Sequence, residues 1–193
     1  MSAKALRWTA WSGVMFLVVH GPAVAAGQPA ASVGVFDTGT SSPAPLSGSA
    51  VAGKAGWTKL PEDNTGHTFK GDAVLANDRI TVVLRRGGPG AELYANGVGG
   101  PILRAVLAPM SDQAAARLAS VAVVENSASE AALDAAFKTP DGREATVRLD
   151  LQPGQAFVKT EARRGVKRLR LEAPCRFAVL PESVAWDSHN SIT

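Results

Sequence analysis

Residues 145–152 read ATVRLDLQ, an unbroken alternation of apolar with polar or charged side chains. Because successive side chains of a β-strand point to opposite faces, this period of two predicts a strand with one buried face and one solvent-exposed face. Turn residues bound the stretch on both sides, with Pro140-Asp141-Gly142 before it and Pro153-Gly154 after it. The stretch is therefore typical of a half-buried strand between tight turns.

The same period of two recurs from Trp57 onward, broken at short intervals by Gly, Pro, Asn and Asp. This pattern predicts an all-β fold, an antiparallel β-sandwich of about nine short strands over residues 57–181. A body of this length buries enough surface to form a core without a disulfide or a metal. The predicted strands centre on residues 73–75, 80–84, 91–95, 103–107, 121–125, 145–151, 156–161, 166–172 and 175–180.

Residues 129–138 are open to two interpretations. Their alanines and Glu130 favour a helix, which Ser129 could cap. The turn that follows and the clean strand beyond it favour a hairpin, and hairpin context overrides a weak local propensity. We predict a strand here, with a helix as the alternative.

The N-terminus has the order of a secretory signal peptide. Lys4 and Arg7 precede an uncharged, mostly apolar run over residues 8–19, and Ala23-Val24-Ala25-Ala26 supplies a small-residue cleavage site. The run is well short of the roughly 20 apolar residues that a membrane-spanning helix needs. We therefore expect a leader over residues 1–26, export to the periplasm or the outside of the cell, and no stable membrane insertion after cleavage.

Residues 27–56 are dominated by Gly, Ala, Ser, Thr and Pro and contain few large apolar residues. Such a stretch does not bury enough surface to offset the entropy of ordering, which predicts a flexible spacer. Val33, Val35 and Phe36 leave one short strand as an alternative within it.

Composition excludes several classes of protein. One cysteine among 193 residues cannot form a disulfide within the chain, and we expect Cys175 to be a buried small hydrophobe. Without Lys4 and Arg7 of the leader, 18 basic residues stand against 17 acidic ones. A net charge this close to zero argues against a nucleic-acid partner.

No motif for catalysis, metal or cofactor binding stands out. His67 and His189 are the only histidines after the leader, and neither lies in a metal-ligand spacing. The chain lacks a G-x-S-x-G nucleophile elbow, and the adjacent Asp187-Ser188-His189 in a polar tail do not imply a triad. We expect the strand carboxylates to be solvated, and the sequence favours a protein without catalytic activity. Those carboxylates are Glu92, Asp134, Asp150 and Glu172.

A basic cluster is the most suggestive feature for binding. Arg168 and Arg170 share one face of a predicted strand, and Leu169 and Leu171 share the other. We expect Arg148 on the same outer face, on a nearby strand. Guanidinium groups bind carboxylate or sulfate in pairs of hydrogen bonds, so this stripe is a candidate site for an acidic glycan. The alternative is a solvated face whose charge is balanced by Glu161, Glu172 and Asp150.

Aromatic side chains are the second kind of candidate, because they can stack on sugar rings. Trp57, Tyr94 and Trp186 are the candidates, with capping of the sandwich ends as the alternative role. The three phenylalanines Phe137, Phe157 and Phe177 are expected in the core.

Two segments that include predicted strands carry a family resemblance. FKGDAVLANDRI at residues 69–80, followed by VVLR at 82–85, and APCRFAVLP at 173–181 are similar to the N-terminal β-sandwich region of large exported bacterial proteins, mostly of unassigned function. Such regions look like the supersandwich domains that accompany carbohydrate-active modules. The resemblance implies a sandwich fold over residues 57–181 and transfers no catalytic residue.

Together these observations predict an exported, non-catalytic binding or scaffold domain whose ligand is a polysaccharide. The alternative is the N-terminal accessory domain of a carbohydrate-active lyase or hydrolase, cut short. In such proteins the chain would continue past Pro181, whereas residues 182–193 here are short and polar and are interpreted as a tail. A final strand missing from the sandwich would leave one sheet edge open.

Overall fold

The structure, a computed structural model, describes residues 31–110 and 116–173, and nearly all regular structure in them is β. The compact unit that contains these residues begins at Ala31. Its elements are β1 (Val33–Asp37), α1 (Gly48–Gly53), β2 (Thr58–Lys59), β3 (Ala73–Asn77), β4 (Ile80–Leu84), β5 (Ala91–Gly97), β6 (Gly100–Met110), β7 (Arg117–Asn126), β8 (Ala131–Lys138), β9 (Glu144–Leu151), β10 (Lys159–Ala162) and β11 (Arg168–Glu172).

The strands form two antiparallel sheets. One has seven strands in the order β11-β6-β5-β4-β3-β1-β2, and the other has four in the order β10-β9-β8-β7. The described residues thus hold eleven strands where about nine were predicted over residues 57–181. Of the additional strands, β2 was not predicted, β1 had been only an alternative within the spacer, and β8 had been predicted with a helix as the alternative. The predicted strand at 175–180 lies outside the described residues.

The strand prediction for residues 129–138 is confirmed. β8 pairs with β9 from Ala131 opposite Leu151 to Lys138 opposite Glu144, as a hairpin closed by the Pro140-Asp141-Gly142 turn. The alternation that defines β9 is also confirmed, since its apolar side chains are buried and Thr146 and Arg148 are only half-buried.

One buried apolar cluster takes side chains from both sheets. Leu75 and Val82 come from the seven-stranded sheet, and Leu133, Phe137 and Leu149 come from the four-stranded sheet. All five are at most 1% exposed, so the expected core position of Phe137 is confirmed. Burying a large apolar side chain stabilises a fold by roughly 1.5–3 kcal/mol, so this cluster is a main source of stability.

A second apolar cluster lies on the other face of the seven-stranded sheet. Val74, Val83 and Tyr94 of β3, β4 and β5 pack with Val51 of α1. Residues 38–57, called here the covering segment, therefore lie over that face, with Leu46 and Trp57 packed against the same cluster.

The structure corrects the expectation of a flexible spacer for residues 31–56. β1 lies inside the seven-stranded sheet, where it pairs with β3 over five residues and with β2 on its other side. Val33 and Val35 belong to the core cluster, and Ser47 caps α1 by accepting a hydrogen bond from the Ala50 amide. A few apolar residues and many side-chain hydrogen bonds thus order a stretch whose composition indicated disorder. The predicted boundary at Trp57 accordingly falls inside the folded unit.

Two carboxylates expected to be solvated are buried. Glu92 is 1% exposed because the covering segment lies over its face of β5, and Asp150 is 9% exposed on β9. Asp134 is half-buried, and Glu172 is exposed as expected. Alternation predicted the face of each side chain correctly, but not whether other parts of the chain cover that face.

Candidate functional site

A cleft beside Trp57 is a candidate site in the described residues. Its volume is about 310 Å³, and it lies between the covering segment and the loop that enters β3. One side offers polar groups and the other apolar ones, and no Lys or Arg lines it. The lining residues are Thr38, Thr40, Ser41, Ser42, Pro43, Leu46, Ala50, Ala55, Trp57 and Asp72.

Trp57 stands half-buried at the C-terminal end of the covering segment. Its ring lies 6.2 Å from the ring of Phe36 at an interplanar angle of 56°, within the range of packed aromatic pairs. Of the two proposed aromatic binding residues that the structure describes, Trp57 and Tyr94, it is Trp57 whose partial exposure at a cleft suits stacking on a ligand.

Asp72 fixes the polar side of the cleft. Its Oδ2 accepts a hydrogen bond from the Ser42 amide at 2.8 Å, and its Oδ1 accepts one from the Arg86 amide at 3.0 Å. The Asp72 amide in turn donates to Thr38 Oγ1 at 2.7 Å. The neighbouring Gly71 is required, because a Cβ there would lie 2.4 Å from that same hydroxyl oxygen. These contacts hold the hydroxyl-bearing residues 38–42 against the sheet.

Asp37, at the end of β1, anchors the same loops from below. Its Oδ1 accepts from the amides of Gly39 at 2.8 Å and Gly71 at 2.9 Å, and its Oδ2 from the Lys70 amide at 2.8 Å. His67 Nε2 also lies 2.8 Å from Oδ2. Burial raises the pKa of the carboxyl, but these hydrogen bonds outweigh it and lower the pKa of Asp37 to about 2.

A buried polar network lies beneath the covering segment. Arg85 Nε donates to Glu92 Oε1 at 2.5 Å, and the Tyr94 hydroxyl lies 3.1 Å from Glu92 Oε2. The same hydroxyl is 2.9 Å from the Leu46 carbonyl, and Arg85 Nη1 is 3.4 Å from the Ser42 carbonyl. The network therefore connects the sheet to two residues of the cleft wall.

The proposal of Tyr94 as a sugar-stacking residue is wrong, because its side chain is buried under the covering segment and only 1% exposed. Burial and the neighbouring Glu92 carboxylate both raise the pKa of Tyr94. The phenol therefore stays protonated, so it does not suit the role of a catalytic base.

The three arginines predicted to share one outer face, Arg148, Arg168 and Arg170, do not lie on one surface. Arg148 lies on β9 of the four-stranded sheet, whereas Arg168 and Arg170 lie on β11 at the edge of the seven-stranded sheet. The guanidinium of Arg148 binds both oxygens of Asp134, at 2.8 and 3.1 Å. Strand pairing separates these arginines, since β11 pairs with β6 rather than with a neighbour of β9.

On β11, Arg170 forms an ion pair of 2.7 Å with Glu172. This agrees with the alternative interpretation, a solvated face whose positive charge is balanced by acidic residues. Leu169 packs against the core cluster, but Leu171 is 60% exposed because β11 is an edge strand.

The other candidate residues divide into two groups. Phe157 was expected in the core but is 61% exposed, in the loop between β9 and β10. Cys175, Phe177, Trp186 and the residues 187–189 lie outside the described part of the chain, as do residues 1–26.

The sequence reasoning missed Thr40, Ser41 and Asp72 as lining residues. The local signal was present, since Asp37-Thr38-Gly39 and the Ser and Thr residues that follow are typical of loops closed by side-chain hydrogen bonds. The sequence did not indicate that α1 would bring Ala50 to this cleft, or that the chain after α1 would bring Trp57 to it.

In residues 31–110 and 116–173, no group of three or more His, Cys, Asp and Glu side chains is placed to hold a metal ion. No helix in these residues is long and apolar enough to cross a membrane.

Comparison with known proteins leaves the resemblance to exported bacterial sandwich regions a prediction. No protein-family model, no curated protein and no solved structure matches the chain.

Proposed function

We propose that this chain is an exported, non-catalytic β-sandwich domain that binds an uncharged polysaccharide in the cleft beside Trp57. The observation that carries the proposal is the cleft itself, which a half-buried indole lines together with hydroxyl-bearing side chains. An indole face packs on the C–H face of a sugar ring, and hydroxyl groups both donate to and accept from sugar hydroxyls.

The charge of the lining favours an uncharged ligand. Asp72 is the only ionisable side chain among the lining residues, and its buried carboxylate makes the cleft unfavourable for sugar acids and sulfates. Thr40 and Ser41 are exposed and offer hydroxyl groups to a ligand. The arginines proposed from the sequence for an acidic glycan lie elsewhere, on β9 and β11.

The sandwich arrangement and the export are parts of the same proposal. The apolar cluster shared by the two sheets supports a sandwich, because two sheets with one common core pack through their apolar faces. The leader pattern over residues 1–26 supports export, which would bring the domain to envelope or extracellular polysaccharides.

Fluorescence of Trp57 tests the binding directly. A full-length variant with Trp8, Trp11 and Trp186 replaced by Phe leaves Trp57 as the single tryptophan. We expect saturable changes in its emission with neutral glycans such as dextran, mannan or β-glucan, and none with alginate or polygalacturonate.

Two matched variants distinguish binding in the cleft from nonspecific adsorption to the glycan. Trp57→Ala should abolish retention on the immobilised neutral glycan, whereas Phe157→Ala, which removes an exposed aromatic outside the cleft, should leave it unchanged. Absence of binding to every neutral glycan, or binding that survives Trp57→Ala, would refute the proposed function.

A further inference from the structure

Three buried side chains connect the cleft to the sheet beneath it. Glu92 and Tyr94 are 1% exposed, and Arg85 is 8% exposed. Glu92 binds Arg85 through one oxygen and faces the Tyr94 hydroxyl with the other. An ionised pair this deeply buried is costly unless its remaining polar atoms are satisfied.

The remaining polar atoms reach partners in the covering segment. The Tyr94 hydroxyl is within hydrogen-bond distance of the Leu46 carbonyl, and Arg85 Nη1 approaches the Ser42 carbonyl. With these contacts, no buried side-chain nitrogen or oxygen in the described residues lacks a hydrogen-bond partner. Lifting the covering segment would break the contacts and uncover the network.

Ser42 and Leu46 are themselves lining residues of the cleft. Leu46 also packs on the second apolar cluster beside Trp57, so the depth of the cleft depends on where this stretch lies. The Tyr94 hydroxyl lies against the carbonyl oxygen of Leu46 and Arg85 Nη1 against that of Ser42, so the network contacts the backbone of the cleft wall.

We propose that Arg85, Glu92 and Tyr94 are positioning residues that hold Ser42 and Leu46 in place and so set the shape of the Trp57 cleft. This role rests on the proposed function for the ligand, but the placement of the covering segment can be measured without one. The network acts through the cleft wall and does not touch the sugar.

Tyr94→Phe tests this role, because it removes the hydroxyl and keeps the ring in the apolar cluster. The amides of Val51 and Lys54 report on the covering segment, since each bonds at 3.0 Å to a carbonyl in it, of Ser47 and of Ala50. Loss of one buried hydrogen bond should speed native-state hydrogen exchange at both amides about fivefold. Neutral-glycan binding should weaken by a similar factor.

Val147→Ala is the control, because Val147 is buried in the four-stranded sheet away from the network. It lowers global stability by creating a cavity and should leave exchange at Val51 and Lys54 unchanged where these amides exchange by local opening. Glu92→Gln, which leaves Arg85 without its ion pair, should raise exchange further than Tyr94→Phe.

The outcomes separate the two proposals. Faster exchange at these amides in Tyr94→Phe with weaker glycan binding supports both. Faster exchange without any glycan binding in the wild type refutes the proposed function and keeps the structural role of the network. Exchange that is unchanged, or raised equally by Val147→Ala, overturns the positioning role.

Discussion

Replacing Asp37 by Asn should make the fold less stable at neutral pH, and the loss should disappear in acid. The carboxylate accepts hydrogen bonds from three backbone amides and from His67 and is only 3% exposed. An Asn side chain has one acceptor oxygen where the carboxylate has two, so amides that donate to the second oxygen would face an NH2 group.

The magnitude follows from the pKa of the carboxyl. The hydrogen bonds lower the pKa of Asp37 from 3.8 to about 2, and a difference of one in pKa is worth roughly 1.4 kcal/mol. The ionised form therefore contributes about 2.5 kcal/mol to the free energy of unfolding. Because the pKa is lower in the folded state, this contribution is complete above the unfolded value of 3.8 and is lost as the pH falls through about 2.

Urea unfolding of the full-length protein, followed by far-UV circular dichroism at several pH values between 7 and 2, measures the effect. The difference in unfolding free energy between wild type and Asp37→Asn should be at least about 2 kcal/mol at pH 7 and should shrink between pH 4 and pH 2. Asp63→Asn, at an exposed position of the same loop region, is the control and should cost less than about 0.5 kcal/mol. A difference for Asp37→Asn that stays constant down to pH 2 would refute the reasoning.

Three further outcomes are expected. Phe137→Ala should lower the unfolding free energy by about 3–5 kcal/mol in urea titrations, because the ring is 1% exposed in the core cluster; a cost under 1 kcal/mol would contradict that packing. Arg168→Glu combined with Arg170→Glu should leave neutral-glycan retention unchanged at low salt, since both residues lie on the edge strand β11 and outside the cleft; loss of retention would move the site to the stripe. Intact mass of the protein expressed in a bacterial host with an export pathway should correspond to cleavage after Ala25 or Ala26, and recovery of the uncleaved chain from the periplasm would disprove the leader.

The strands were predictable where the signal is local. Alternation identified β9, and the turn after residue 138 decided β8 against its helix-favouring alanines. Composition predicted a flexible spacer where β1 lies. This was wrong because Val33 and Val35 are buried by strands that come later in the chain. Tertiary contacts, which no window of sequence contains, supply that burial.

The candidate site was less predictable than the strands. Trp57 was proposed by residue type and lines the cleft, whereas Tyr94 was misassigned because the covering segment buries it. The prediction of one shared arginine face was wrong for a related reason. Alternation assigns a face to each side chain, whereas the pairing of β11 with β6 decides to which sheet that face belongs. Strand pairing depends on the whole chain.

β6 is the longest of the described strands, and within the described residues β11 pairs with only part of its outer edge. β11 pairs with Val106–Met110, so Gly100–Ala105 have no partner on that side among the described residues. Ile102 in this stretch is exposed, and an unpaired strand edge that carries an exposed apolar residue favours strand addition by another chain. The exposed charge of Arg104, in the same stretch, opposes such pairing as a gatekeeper residue. Replacing it by an apolar residue in an expression variant would remove that protection and favour insoluble protein.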